Sequence, residues 1–174
     1  MIRAASYLVG PLTGYGLLAA IITALLDQAT KLWLVFEYHL EAKGHVHFAP
    51  FLDLVMTWNT GISYGLFKQS EWLGRWVLLA IEIGLVGLLW TWLARAHSRL
   101  MAVSLGLIIG GAVGNIADRF IYKGAVADFI LFHVTTANWT FNWYVFNLAD
   151  AAIVAGVIGL LYGFVHADRA AKAP

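Results

Sequence analysis

Apolar positions dominate four stretches of this chain, each close to the 20 or so residues that a membrane-spanning helix needs. They run over about 11–31, 72–94, 100–117 and 143–165. Residues 4–26 carry no charge, and the second stretch holds a single acid, Glu82. The third is uncharged and places Gly106, Gly110 and Gly114 at four-residue spacing, a ridge that allows close helix contact. The fourth repeats that spacing at Gly159 and Gly163 and contains one acid, Asp150. The expectation is an all-α membrane protein of four transmembrane helices, a single domain over 1–174.

The polar intervals differ in kind. Residues 37–71, too long for a simple turn, include FLDLVMTWNTG, where β-branched and aromatic residues partly alternate before an Asn-Thr-Gly turn. This predicts a short sheet between the first and second helices, on the outer membrane surface. Residues 119–142 are rich in aromatics and suit the interface.

Composition narrows the class. Only 12% of residues are charged and 61% are hydrophobic, with a mean hydropathy of +0.76. A soluble domain carries about a quarter charged residues, so this chain cannot cover itself with polar surface. A net charge of +1 gives no reason to expect nucleic acid. The absence of cysteine excludes disulfides, thiol catalysis and thiolate metal sites. An N-terminal signal peptide is a competing reading of the first span, but the apolar run exceeds the usual length and Asp27-Gln28 stands where small residues belong. Arg3, Arg95, Arg99, Arg169 and Lys172 collect on the side of the termini and the 2–3 loop, which predicts cytoplasmic termini.

Ionisable residues within spans are costly and are functional candidates by default. Here Asp27, Lys31, Asp118, Arg119, Asp128 and Asp150 all fall near the external end of a span or just beyond it. Asp27 and Lys31 form an i, i+4 pair in the favourable order, read as a structural clamp or a headgroup contact. Asn115, Asp118 and Arg119 share one helix face, and the guanidinium suits a lipid phosphate or a substrate carbonyl. Asp128 lies in the extended-looking GAVADFI, and Asp150 about two turns into the fourth span with Asn147 on its face. Neither has a basic residue within four positions. Two such carboxylates in a low-dielectric site share one proton, so that one serves as base on water while the other polarises a carbonyl. The alternative is that Arg119 and Lys31 each neutralise one of them. His45 and His47 lie on one exposed side of a strand and need further ligands to hold zinc, so no metal site is expected. Glu82 has no assigned role.

Asp27-Gln28-x-x-Lys31, Asn59-Thr60-Gly61-Ile62-Ser63, GGAVGNIADR (110–119), Val126-x-Asp128-Phe129 and Phe146-Asn147-x-Ala149-Asp150 occur in this order. The chain thereby resembles bacterial lipoprotein signal peptidase (signal peptidase II) from about residue 15 to 160. The resemblance implies an intramembrane aspartyl endopeptidase of the bacterial inner membrane. Its substrates would be prolipoproteins, cut just before a diacylglyceryl-modified cysteine. It implies Asp128 and Asp150 as the catalytic pair, and Asn59, Gly61, Asn115, Arg119 and Asn147 around the substrate. It further implies a structural role for Asp27 and Lys31, a periplasmic β-cradle with a mobile segment over the site, and no metal or organic cofactor. Partners would be the prolipoprotein substrate and membrane lipids, and the expected state is a monomer. Ser63 and Tyr64 depart from the usual Ala and Phe or Trp, which bears on local packing or substrate fit.

Two other classes compete. A carrier or channel needs polar groups through the whole bilayer, whereas the cytoplasmic halves of these four helices are apolar. A lipid-binding scaffold would tolerate Asp→Asn at 128 and 150.

Overall fold

The structure is a computed structural model and describes residues 8–61 and 72–172. Arg3, Ser63, Tyr64, Lys68 and Glu71 lie outside the described residues, as do the side chains of Asp168, Arg169 and Lys172. Helix α1 spans Thr13–Leu32 and runs on through a π-helical turn, Trp33–Glu37, to the short α2, Leu40–Lys43. Strands β1 (Val46–Ala49) and β2 (Leu52–Asn59) follow, then helices α3 (Trp72–Leu93) and α4 (Arg99–Ile121). Strands β3 (Val126–Thr135) and β4 (Thr140–Asn142) precede the last helix, α5 (Leu148–Lys172).

Four segments are long and apolar enough to cross a membrane: Thr13–Glu37, Gly74–Leu93, Arg99–Ile121 and Leu148–His166. Their packing is inverted relative to a soluble bundle. The buried stripe of α1 is small or polar (Thr13, Gly16, Ala20, Thr23, Asp27, Lys31), at three- and four-residue spacing. Large residues such as Leu18, Leu25 and Leu26 point outward. Lipid tails are as apolar as leucine, so helices in lipid associate through close packing and polar contacts rather than water exclusion.

Helix α4 is central and packs most extensively on α5 and α1, less on α3. Its glycine ridge meets α1: a methyl group at Gly106 would strike the Gly16 carbonyl, and one at Gly110 would lie 2.5 Å from the Ala20 carbonyl. At Gly114 it would lie 2.6 Å from the Asp27 carboxylate, so the last step of the ridge makes room for a charged group. The α5 glycines at that same spacing, Gly159 and Gly163, differ. Gly159 packs tightly on Ser104, whereas Gly163 has Leu100 only at ordinary contact distance, 3.5 Å. Ser98 starts α4, its Oγ accepting from the Met101 N–H at 3.1 Å.

The four strands form one antiparallel sheet in the order β1-β2-β3-β4. The all-α description and the placement of a sheet between the first two helices alone both need correction, because half of the strands come from the interval before α5. The stretch 119–142, read from its aromatics as interfacial, contributes β3 and β4. Its alternation is weak because Val126, Ala127, Asp128 and Phe129 are all buried. Helix α4 stops at Tyr122, and Lys123 (φ 54°) and Gly124 (φ 99°) turn the chain into β3. Leu34, Leu40 and Phe129 form a second core, with Val46, Leu54, Ile130 and Leu148 packed around them. This second core joins the end of α1, the sheet and the start of α5.

Candidate active site

The start of α5 is a capping box. The Asn147 side-chain oxygen accepts from the Asp150 N–H at 2.9 Å, and an Asp150 carboxylate oxygen accepts from the Asn147 N–H at 3.2 Å. Both groups satisfy N–H bonds that a helix start leaves open. Asp150 therefore stands in the first turn of α5, not two turns into a span. An apolar window over 143–165 cannot separate Trp143–Phe146 from the helix; the Asn-x-x-Asp pattern marks the boundary. Phe146 instead bridges to Ile130 of β3.

Asp128 sits on β3 opposite Thr57 of β2. Between Leu54 and Thr57, β2 carries a bulge, a device that re-aims the following side chains. Asp128 is buried and accepts two amide hydrogen bonds, from Asn59 at 3.0 Å and from Asn147 at 2.6 Å. Asp150 is half-buried and accepts from the Asn115 side chain at 2.9 Å. Asn147 also donates to Asn115 at 3.1 Å, so the acids are joined through a chain of carboxamides. Burial first, and the neighbouring Asp150 charge second, push the Asp128 carboxyl up to about 7, against the opposing pull of the Asn59 and Asn147 bonds and of Lys31.

The basic residues are engaged elsewhere. Lys31 pairs with Asp27 and Asp118, each at 2.8 Å, and donates to Asn115 at 3.1 Å. Arg119 pairs with Glu82 at 3.1 Å. The reading in which Lys31 and Arg119 neutralise Asp128 and Asp150 is thus replaced: among the described residues neither basic side chain forms an ion pair with them. Glu82, unassigned from the sequence, is the partner of Arg119. Asn59 touches Asp128 and accepts from the Gly61 N–H at 3.1 Å.

The Lys31 cluster also positions the acids. Asp27 accepts from the Ala149 N–H at 3.0 Å, fixing the first turn of α5 beside Asp150. Asp118 accepts from the Ala127 N–H at 3.0 Å, fixing β3 beside Asp128, and from Gln28 at 2.8 Å. Each carboxylate therefore pins the backbone next to one of the two aspartates. Sequence spacing gave the Asp27–Lys31 pair but not Asp118 as its third member, nor Gln28.

Comparison with known proteins decides the class. The model of the family described as signal peptidase (SPase) II matches residues 19–166. The chain belongs to the signal peptidase II family. It is on that ground a peptidase, and hence a hydrolase. Curated relatives named lipoprotein signal peptidase include one from Nitrobacter hamburgensis, 56% identical over 91% of this chain and 96% of its own. Another, from Methylorubrum extorquens, is 54% identical over 84% and 82%. A solved bacterial membrane enzyme, 23% identical, superposes with a TM-score of 0.70 over 92% of both chains and shares the fold. A second such enzyme, 22% identical, gives 0.66 over 91% of this chain and 96% of its own. The matched stretch contains the whole polar cluster: Asp27, Gln28, Lys31, Asn59, Asn115, Asp118, Asp128, Asn147 and Asp150.

Proposed function

We propose that this signal peptidase is an aspartyl endopeptidase acting on prolipoproteins at the outer side of the bacterial inner membrane. The observation that carries the reading is the contrast in charge compensation. Asp128 and Asp150 come from a strand and a helix start, are joined by amides, and have no ion-pair partner among the described residues. A carboxyl raised to about 7 beside a second carboxylate holds one proton between two acids near neutral pH.

The reaction follows from that single proton. Burial favours keeping it on Asp128. The Asp150 carboxylate takes a proton from water as the water oxygen attacks the scissile carbonyl carbon. Asp128 gives its proton to the carbonyl oxygen. Collapse of the resulting diol breaks the C–N bond as a proton passes to the leaving nitrogen, and the acids return to their starting state. Fixing water and peptide between the acids supplies proximity as well as acid–base catalysis.

The substrate assignment rests on the family and on the relatives named lipoprotein signal peptidase. The bond cut lies just before a diacylglyceryl-modified cysteine. A lipid-anchored substrate holds that bond at a fixed depth, and the acids at the junction of α5 and the sheet suit an interfacial depth that water reaches. Asn59, Asn115 and Asn147 orient the acids, Gly61 holds Asn59, and Arg119 stands nearby as a substrate-side donor. The termini are cytoplasmic, the sheet is periplasmic, and the chain is a single membrane domain working as a monomer.

Cleavage of a diacylglyceryl-modified prolipoprotein by wild type, Asp128→Asn and Asp150→Asn tests the proposal. Both variants should be inactive while still folded. Near-normal turnover by either would make the acids structural.

A further inference from the structure

On the sheet, outside the acid pair already described, three imidazoles surround one carboxylate. The sequence shows only His45 and His47, on one exposed side and short of ligands. The fold supplies the missing ones. Asp53 of β2 is the register partner of His47 on β1, and it also pairs with Leu131 on β3. His133, two residues beyond Leu131, therefore projects from the same face as Asp53. The distances agree: Asp53 Oδ1 is 2.7 Å from His47 Nδ1, and Asp53 Oδ2 is 2.6 Å from His45 Nε2 and 3.2 Å from His133 Nε2.

We propose that His47, Asp53 and His133, with His45 as the fourth donor within reach, bind a divalent first-row transition metal ion such as Zn2+. Ligand atoms of His47, Asp53 and His133 all lie within 4.8 Å of one another. Around a tetrahedral zinc, with bonds of about 2.0–2.1 Å, neighbouring ligand atoms stand about 3.3 Å apart. Shifts of about an ångström or less therefore convert the cluster into a coordination shell. Imidazole with one carboxylate suits zinc, nickel or copper, whereas calcium and magnesium take oxygen shells.

One further feature supports the assignment. His133 Nε2 is buried and stands 3.2 Å from Asp53 Oδ2, yet makes no hydrogen bond among the described residues, a need that a bound ion would meet. The ligands come from three adjacent strands, so an ion here ties together β1, β2 and β3. The last two also carry Asn59 and Asp128.

The test is a Zn2+ titration of the full-length, detergent-purified chain, free of any polyhistidine tag and stripped with chelator. Wild type, His47→Ala, His133→Ala and His133→Gln are compared, with Mg2+ as control. One Zn2+ per chain with a Kd of about 1 μM or tighter is expected, with no Mg2+ response. Each His variant should weaken binding by about tenfold or more. X-ray absorption of the loaded wild type should show nitrogen and oxygen neighbours at about 2.0 Å with several imidazoles. His47 is exposed, so its variant reports on ligation without disturbing the fold. Wild-type chain that binds no stoichiometric Zn2+, or a His47→Ala variant that binds as tightly as wild type, overturns the proposal.

Discussion

Two groups of carboxylates lie side by side in this molecule, and they are treated in opposite ways. Asp27 and Asp118 share the Lys31 ammonium and each also accepts from a backbone N–H, of α5 and β3 respectively. Asp128 and Asp150 receive only amide hydrogen bonds. A buried acid paired with a cation acts as a bolt; one held by neutral amides next to another acid is left able to trade a proton. Family membership does not separate these roles, since all four acids lie within the matched residues 19–166. The difference is in which partner the fold brings to each.

The firmest way to break the comparison is to remove the cation. Lys31→Met leaves two buried carboxylates unpaired and should cost about 3–5 kcal/mol of stability, read as a large fall in thermal midpoint. Adding Asp27→Asn and Asp118→Asn to it should restore part of that loss. A Lys31→Met protein as stable as wild type would remove the structural role of the cluster. On the other side of the comparison, Asp128→Asn should fold and yet lose about a thousandfold in turnover, roughly 4 kcal/mol of barrier.

A pH series sharpens the contrast further. Folding raises the Asp128 carboxyl from its ordinary 3.8 to about 7, so the native state binds the proton more tightly than the unfolded chain. The resulting stabilisation is fully present below about pH 4 and is lost as pH rises through about 7, with an upper bound of about 4 kcal/mol. Turnover should fall over the same upper limb as the shared proton leaves. Asp128→Asn should lack this part of the stability profile, which denaturation at pH 5 and pH 8 would reveal. The smallest effect belongs to a site remote from both groups: Ser98→Ala removes the cap of α4 and should cost about 1 kcal/mol with unchanged turnover per folded molecule.

Local information in the sequence covers part of this picture. The four apolar stretches are visible because each helix is apolar over its own length. The Asp27–Lys31 pair is visible because it is one helical turn. Asp118 on Lys31, Glu82 on Arg119, and Asp53 and His133 on the two visible histidines are not, because each joins distant elements. The start of α5 lies between these cases: Asn147-x-x-Asp150 is a local signal, masked by the aromatic run before it. Of β3 only the extended-looking GAVADFI is legible, because burial of residues 126–129 on both faces removes the alternation that marks a strand, and β4, three exposed residues, is too short to show a period.

The central claim is that Asp128 and Asp150 share one proton near neutral pH, whereas Asp27 and Asp118 are held by the Lys31 ammonium. Infrared titration of carboxyl groups in the detergent-purified chain measures this directly. One protonated carboxyl should persist from pH 5 until it titrates near pH 7, disappear in Asp128→Asn, and survive in Asp27→Asn. If no protonated carboxyl is present above pH 5, or if the band is untouched by Asp128→Asn, the two groups of acids are alike and the account fails.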